Sequence, residues 1–258
     1  MTQRFLTELF IFIKKQASAS LFGGLMLFAL IASKYISVPG IYRYDLLFIF
    51  AIVVQIVLIV TKLESKREVL AIIVFHLCAM GMEIFKTSPM VGSWTYPEPA
   101  IFAIATVPLF TGFLYSSVGS YMTRAWRINR FRFTNMPDTL SLALVGLLIY
   151  VNFFTNHFVY DVRWGIFGLL IIMFWKAKLR ATITNKEYTF HPLFTNALLA
   201  LFVWFAEQIG TFARAWVYPH QVAGWSPVSF HMFTSWYMLL IFSFILISLI
   251  MGIKHKQS

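Results

Sequence analysis

Two short strings of residues in this 258-residue chain carry the groups that could do chemistry. The first runs Glu83-x3-Thr87 and then Trp94-x-Tyr96-Pro97; the second runs Glu207-x3-Thr211 and then Trp216-x-Tyr218-Pro219. A carboxyl group within apolar sequence can give or take a proton, and phenol and indole groups nearby can hydrogen-bond to it and present ring faces to a developing cation. A charged side chain inside a membrane span costs roughly 2.5–3.5 kcal/mol on insertion scales, so each glutamate is a functional candidate. Lys86 lies three residues from Glu83 and Arg214 two turns beyond Glu207, close enough in either case for a structural ion pair. Glu83 and Glu207 are therefore the candidate proton-transfer residues, and Lys86, Trp94, Tyr96, Arg214, Trp216 and Tyr218 are candidate substrate-binding neighbours.

A second polar cluster gathers Asn152, Asn156, His157, Asp161 and Arg163. Asn152 and Asn156 are four residues apart and share a helix face. Asn156, His157, Asp161 and His220 join the candidate binding set. His157, Asp161, His220, Glu98, Glu83 and Glu207 have the side-chain types of His/carboxylate metal sites. No HxxxH or HxxEH spacing occurs among them, so no metal site is assigned and no cofactor is identified. His76 and His231 stand singly on apolar spans as packing residues, and His191 precedes Pro192 at a helix entry. The single cysteine, Cys78, reads as a small buried hydrophobe. A glycine-rich phosphate loop and a GxSxG elbow are both missing.

The elements that must position these residues are membrane spans. The chain is 59% hydrophobic and 12% charged, against about 25% charged for a soluble domain. A span needs roughly 20 apolar residues. Eight fit: Ala17–Ile36, Asp45–Leu63, Glu68–Thr87, Pro99–Met122, Asp138–Phe158, Asp161–Trp175, Pro192–Ala213 and Ser229–Ile253. The sixth is the shortest. Breakers such as Pro39-Gly40, Pro89 and Pro227 separate them. The expected fold class is an all-α, polytopic transmembrane bundle.

The net charge of +11 follows the topology. Arg4, Lys14, Lys15, Lys62, Lys66, Arg67, Arg124, Arg127, Arg130, Arg132, Lys176, Lys178, Arg180, Lys186, Lys254 and Lys256 fall on one side, sixteen of the 21 Lys and Arg. The positive-inside rule makes that side cytoplasmic and places both termini there. No separate soluble domain exists to bind nucleic acid, so the expected partner is the bilayer, with a lipid-like or small-molecule ligand. Residues 1–16 read as an amphipathic interfacial helix, with Phe5, Leu6, Leu9, Phe10 and Ile13 opposed by Arg4, Glu8 and Lys14. A cleaved signal peptide is the rival reading of this end.

The two halves, residues 17–122 and 138–258, read as a duplication joined by a basic loop at 123–137. Tyr44-Asp45 and Tyr160-Asp161 open spans two and six; Lys62-Leu63 and Lys178-Leu179 close them. The Glu/Thr/Trp/Tyr/Pro strings follow, then Phe110-Thr111 against Phe233-Thr234, with Tyr115 near Tyr237. Four spans per half make the repeats parallel, related by an axis along the membrane normal. Each glutamate would then lie about fifteen residues into its span, roughly 22 Å up, toward the outer end.

The stretch Glu83-Ile-Phe-Lys86-Thr87-Ser-Pro89, Gly92-Ser-Trp94-Thr-Tyr96-Pro97-Glu98-Pro99 and Val107-Pro108-Leu109-Phe110-Thr111-Gly112-Phe113 through Arg124-Ala-Trp126-Arg127 resembles an uncharacterised bacterial membrane family, domain of unknown function 817. Asn152-Phe-Phe-Thr-Asn156-His157 to Asp161-x-Arg163 resembles it too. The likeness covers most of the chain and implies a bacterial cytoplasmic-membrane protein with no assigned activity. A more distant pattern, a membrane Glu followed by Thr, Gly and an aromatic-x-Tyr, is similar to the carotenoid hydratases and loosely to the membrane lycopene cyclases. That likeness implies protonation of a carbon–carbon double bond in an isoprenoid, with Glu83 at the matching position and Glu207 as its repeat partner. Lys86 departs from it, standing where a small residue is expected.

Three function classes fit these residues. One is a membrane enzyme doing acid–base chemistry on an isoprenoid or lipid-like substrate near the outer leaflet. A second is a proton- or ion-coupled transporter, which parallel repeats and paired acids also suit. The third is a non-catalytic binding, structural or sensory membrane protein. The oligomeric state is left open.

Overall fold

A computed structural model describes residues 2–184 and 186–251. Lys254 and Lys256, and the side chain of Arg4, lie outside them. About 65% of the structure is helical, in α1 (Thr2–Ala19), α2 (Leu21–Ala32), α3 (Arg43–Val60), α4 (Lys66–Lys86), α5 (Phe110–Ile128), α6 (Thr139–Thr155), α7 (Arg163–Phe174), α8 (Pro192–Phe212) and α9 (His231–Met251). Two short antiparallel sheets complete it. One pairs β1 (Ala103–Ile104) with β2 (Val107–Pro108); the other orders β3 (Arg132–Thr134), β4 (Lys178–Ile183) and β5 (Lys186–Phe190) side by side.

Among the described residues, α3, α4, α8 and α9 are long and apolar enough to cross a membrane, and a fifth span counts if the bent pair α1–α2 is one. This is fewer than the eight expected, for identifiable reasons. Residues 99–109, taken as the start of span four, form a loop containing β1 and β2, and helix begins only at Phe110. The resulting α5 is interrupted by Thr111, Tyr115, Ser116, Ser117 and Ser120 and ends in Arg124 and Arg127. Spans five and six become the shorter apolar helices α6 and α7, of 17 and 12 residues. The all-α expectation also needs correcting. Lys178-Leu-Arg-Ala-Thr-Ile183 alternates exposed and buried side chains with the period of two that a strand imposes, and it pairs with β3 and β5. The alternation of Leu179, Ala181 and Ile183 was the available signal.

Local chemistry sets the helix ends. Gly40, at φ +81°, turns the chain ahead of α3. Ser65 and Glu68 make a capping box at α4: the Ser65 hydroxyl accepts from the Glu68 amide, and Glu68 accepts from the Ser65 amide at 2.6 Å. Asp138 caps α6 by accepting from the Ser141 amide at 3.0 Å, and Pro192 occupies the first position of α8.

The chain divides into two compact units. Met1–Leu21, Tyr121–Leu201 and Ser235–Ser258 form one, which holds the three-stranded sheet. Here α1 is tied to the sheet: Lys15 Nζ donates to the Thr182 carbonyl at 2.9 Å and Tyr188 donates to Glu8. Phe133 packs on Trp126 and Phe244, and Phe167 stacks on Tyr237 with centroids 5.0 Å apart. The other unit, Phe22–Ser120 and Phe202–Thr234, holds both glutamate strings. Its core joins Leu30, Tyr44, Leu47, Phe110 and Ala215, with Phe22, Met26, Ala51 and Leu58 adjoining.

The Ser65 cap can be tested alone. Ser65→Ala is expected to lower stability by about 1 kcal/mol, the usual worth of such a cap. Thermal unfolding of purified Ser65→Ala protein in detergent checks this. An unchanged midpoint would show that the capping box contributes nothing.

Candidate functional site

The first string is turned back onto its own glutamate by the end of α4. Thr87 donates to the Glu83 carbonyl from both its amide, at 2.9 Å, and its hydroxyl, at 2.8 Å. Gly92 adopts φ +56°, and the Ser93 amide returns to the Lys86 carbonyl at 2.8 Å. Trp94 and Tyr96 thereby face Glu83. Trp94 Nε1 donates to Glu83 Oε2 at 3.0 Å, the Tyr96 hydroxyl to the same oxygen at 2.6 Å, and the Tyr115 hydroxyl to Oε1 at 2.7 Å.

The second string follows the same plan. The Thr211 hydroxyl donates to the Glu207 carbonyl at 3.0 Å. Arg214 takes φ +55° and the Ala215 amide closes on the Gly210 carbonyl at 3.0 Å, a six-residue closure of the Schellman kind. Trp216 Nε1 then donates to Glu207 Oε1 at 2.8 Å and the Tyr218 hydroxyl to the same oxygen at 2.6 Å. Glu83 and Glu207 are both buried.

The two strings meet. Thr95 and Val217, the middle residues of Trp-x-Tyr, exchange amide-to-carbonyl hydrogen bonds of 2.9 Å in both directions as an antiparallel bridge. That register sets Trp94 opposite Tyr218 and Tyr96 opposite Trp216. The Trp94 and Tyr218 rings meet edge-on with centroids 6.1 Å apart, so a donor to Glu83 packs against a donor to Glu207. Burial, first, and the neighbouring Glu83 charge push the Tyr96 phenol well above its usual pKa of 10. Tyr218 is raised well above 10 likewise, by burial and then Glu207, with Glu83 adding to the effect. Both phenols therefore stay neutral O–H donors through the ordinary pH range.

Polar anchors hold the loops that carry the strings. Asp45 accepts from the Ile101 and Phe102 amides, each at 2.9 Å. Arg43 binds Glu98 at 2.6 Å, the Ser33 hydroxyl at 3.0 Å and the Ala213 carbonyl at 2.9 Å. Tyr44 donates to the Ala215 carbonyl at 3.0 Å while its ring packs on Phe110 and Tyr96. On α8, Gln208 clamps both the amide and the carbonyl of Val228, at 2.8 and 3.1 Å.

Of the residues singled out by sequence, Glu83, Trp94, Tyr96, Glu207, Trp216 and Tyr218 come together. Lys86 is buried at the end of α4, Arg214 is half-buried at the turn after α8, and His220 stacks on the Tyr218 ring at 5.8 Å. Asn156, His157 and Asp161 belong to the other unit. There Asn152 donates to Asp161 at 3.0 Å and Arg163 pairs with it at 3.0 Å, with Asn156 capping α6 and His157 exposed. Among the described residues, no three His, Cys, Asp or Glu side chains gather to hold a metal ion. Sequence reasoning missed Tyr115, Asp45, Arg43 and Gln208 as parts of the site. Tyr115 was noticed only as a counterpart of Tyr237, which donates instead to the Leu193 carbonyl at 3.2 Å.

Gly210 tests the indole contact. A Cβ built there would overlap the Trp216 ring, so Gly210→Ala must displace the indole from Glu207. The expected results are a loss of roughly 1–3 kcal/mol, typical of overpacking, and a shift in tryptophan emission. Gly24→Ala, where a Cβ meets nothing within 4 Å, is the control and should change neither. Equal behaviour of the two variants would contradict the packing.

The family described as protein of unknown function DUF817 matches residues 8–244. The chain is also 35% identical over 243 residues to the uncharacterized protein YoaT of Bacillus subtilis (strain 168), covering 94% of this chain and 91% of that protein. No solved structure matches it. Matched over nearly its whole length, the chain belongs to the DUF817 family of proteins of unknown function.

Proposed function

We propose that Glu83 and Glu207 form a paired acid–base centre of a bacterial plasma-membrane protein, acting on an isoprenoid or other lipid-like substrate near the outer leaflet. The observation that carries this reading is the matched construction of the two acids. Each carboxyl group is buried, each accepts an indole and a phenol from its own string, and the strings pair at Thr95 and Val217. Pairing of equivalent positions in an antiparallel bridge is compatible with a twofold axis between two parallel halves. It supports the 4+4 duplication and, with the distribution of Lys and Arg, a topology of eight spans with both termini cytoplasmic.

In this reading one carboxyl group gives a proton to a carbon–carbon double bond, and the other removes a proton from an adjacent carbon. The double bond moves and no net proton is consumed. The neutral phenols of Tyr96 and Tyr218 hold the carboxyl oxygens in place, and the Trp94 and Trp216 rings offer negative faces to the transient cation. Proton-coupled transport is the second reading, favoured by the paired acids. Against it, α4 and α8 run unbroken and carry their acids near the ends, whereas carriers of the parallel-repeat kind place sites near the midplane on interrupted helices.

Lipid extracts of cells producing the protein, the Glu83→Gln variant or the Glu207→Gln variant, and of cells lacking it, can be compared by mass spectrometry after growth in deuterated water. The expected result is a protein-dependent change in one isoprenoid or lipid species with deuterium on carbon. Either variant should reduce it by about 10²-fold or more, the worth of a positioned general acid or base. Identical profiles with and without well-expressed protein would overturn the catalytic reading.

A further inference from the structure

The sheet-bearing unit holds a cavity that the paired acids leave unexplained. It measures about 630 Å³ and is lined by Asn135, Met136 and Pro137, which directly follow β3, and by Ile171, Ile172, Met173, Trp175 and Lys176, where α7 runs toward β4. The volume lies within the usual range for small-molecule sites, ~300–1,000 Å³. Its chemistry is graded. Ile171, Ile172 and Met173 make an apolar stretch, then come an exposed indole and an exposed ammonium at Trp175 and Lys176. That order of apolar chain, aromatic ring and cation matches the gradient from hydrocarbon to headgroup in a bilayer.

The adjoining sheet continues the cationic end. Thr134 pairs with Lys178 and Arg132 with Arg180 in register, so all four side chains lie on one face, continuous with both lining segments. Arginines directly opposite across two strands repel each other. Among the described residues Glu187 bridges them, 2.5 Å from Arg132 and 3.6 Å from Arg180. A face with this excess of positive charge beside the cavity is suited to an anionic phosphate ester.

We infer that this groove binds one anionic phospholipid, its acyl chain along Ile171, Ile172 and Met173 and its phosphate between Lys176 and Lys178. The length of α7 favours a lipid over a soluble phosphate. Its 12 residues extend only about 18 Å at 1.5 Å per residue, short of the ~30 Å hydrocarbon core. With α7 as a span, which rests on the topology proposed above, Trp175 and Lys176 are drawn in to where headgroups and upper acyl chains meet.

The test is native mass spectrometry of the full chain in detergent, with dioleoylphosphatidylglycerol or dioleoylphosphatidylcholine added. The expected result is one retained phosphatidylglycerol, about tenfold preferred over phosphatidylcholine, with the preference lost in the double variant Lys176→Gln/Lys178→Gln and weakened in Trp175→Ala. Lys62→Gln/Lys66→Gln, altering an exposed lysine of the turn after α3 and the exposed first residue of α4, is the control and should retain the lipid. Size-exclusion profiles identify variants that fail to fold; if the double variant is one, Trp175→Ala and the single variant Lys176→Gln carry the test. Equal retention of the two lipids, equal loss in the Lys62/Lys66 control, or displacement by millimolar inorganic phosphate would each overturn the assignment.

Discussion

A carboxyl group near the end of an apolar helix has to find hydrogen-bond donors, because hydrocarbon offers none. Glu83 and Glu207 impose this requirement, and much of the acid-bearing unit is arranged to meet it. Each helix stops within a turn or so of its glutamate, and the chain doubles back so that an indole and a phenol reach the carboxyl oxygens. These are neutral donors with large apolar bodies, a sensible choice where a charged partner would bring its own desolvation cost. The same choice makes the loops depend on aromatic packing. Tyr96 leans on Tyr44 and Phe110, and Trp94 on Tyr218.

Satisfying the acids is not enough to fix the loops, since indole and phenol groups tolerate a range of approach angles. The further constraint comes from groups with stricter geometry. Asp45 accepts from two successive backbone amides, Gln208 clamps both the amide and the carbonyl of one residue, and Arg43 spreads its guanidinium over four attachment points. Directional bonds of this kind specify one arrangement where apolar contact alone would allow several. The Thr95–Val217 bridge is the last element, and it can form only if both loops are already placed to within hydrogen-bond tolerance. It converts two locally built acid sites into one connected structure.

How much of this was legible in the sequence follows from the range of the interactions. The strings of Glu, Thr, Trp, Tyr and Pro could be read because each site is assembled within 9 to 13 residues, and spacing along a helix and its following turn is local information. Tyr115 and Asp45 were not legible as partners, since they reach the site from 32 and 56 residues away. Asp45 looked like a helix-opening residue, and its bond to a distant loop leaves no local trace. The β3–β4–β5 sheet was missed for another reason. Its basic residues are prominent in composition and were fully accounted for by topology, which hid the alternating Leu179, Ala181 and Ile183 beneath them. Residues 99–109 were misjudged because Pro99, Ile101, Phe102 and Pro108 are apolar enough for a span, yet prolines and a pinned loop suit irregular backbone better.

The matched acids also differ in ways that bear on their roles. Glu83 receives a third donor, Tyr115, on the oxygen that Trp94 and Tyr96 leave open. At Glu207, Trp216 Nε1 and the Tyr218 hydroxyl both donate to Oε1. Donors on both oxygens fix the Glu83 carboxyl group in rotation about its terminal bond. The second loop is tied differently as well, through Trp225 to the Thr211 hydroxyl and through Gln208 to Val228. Two acids built on one plan but set in differently tied loops need not share a proton affinity. For a pair to act as donor and acceptor within one reaction, that inequality is a requirement, and identical sites would not meet it.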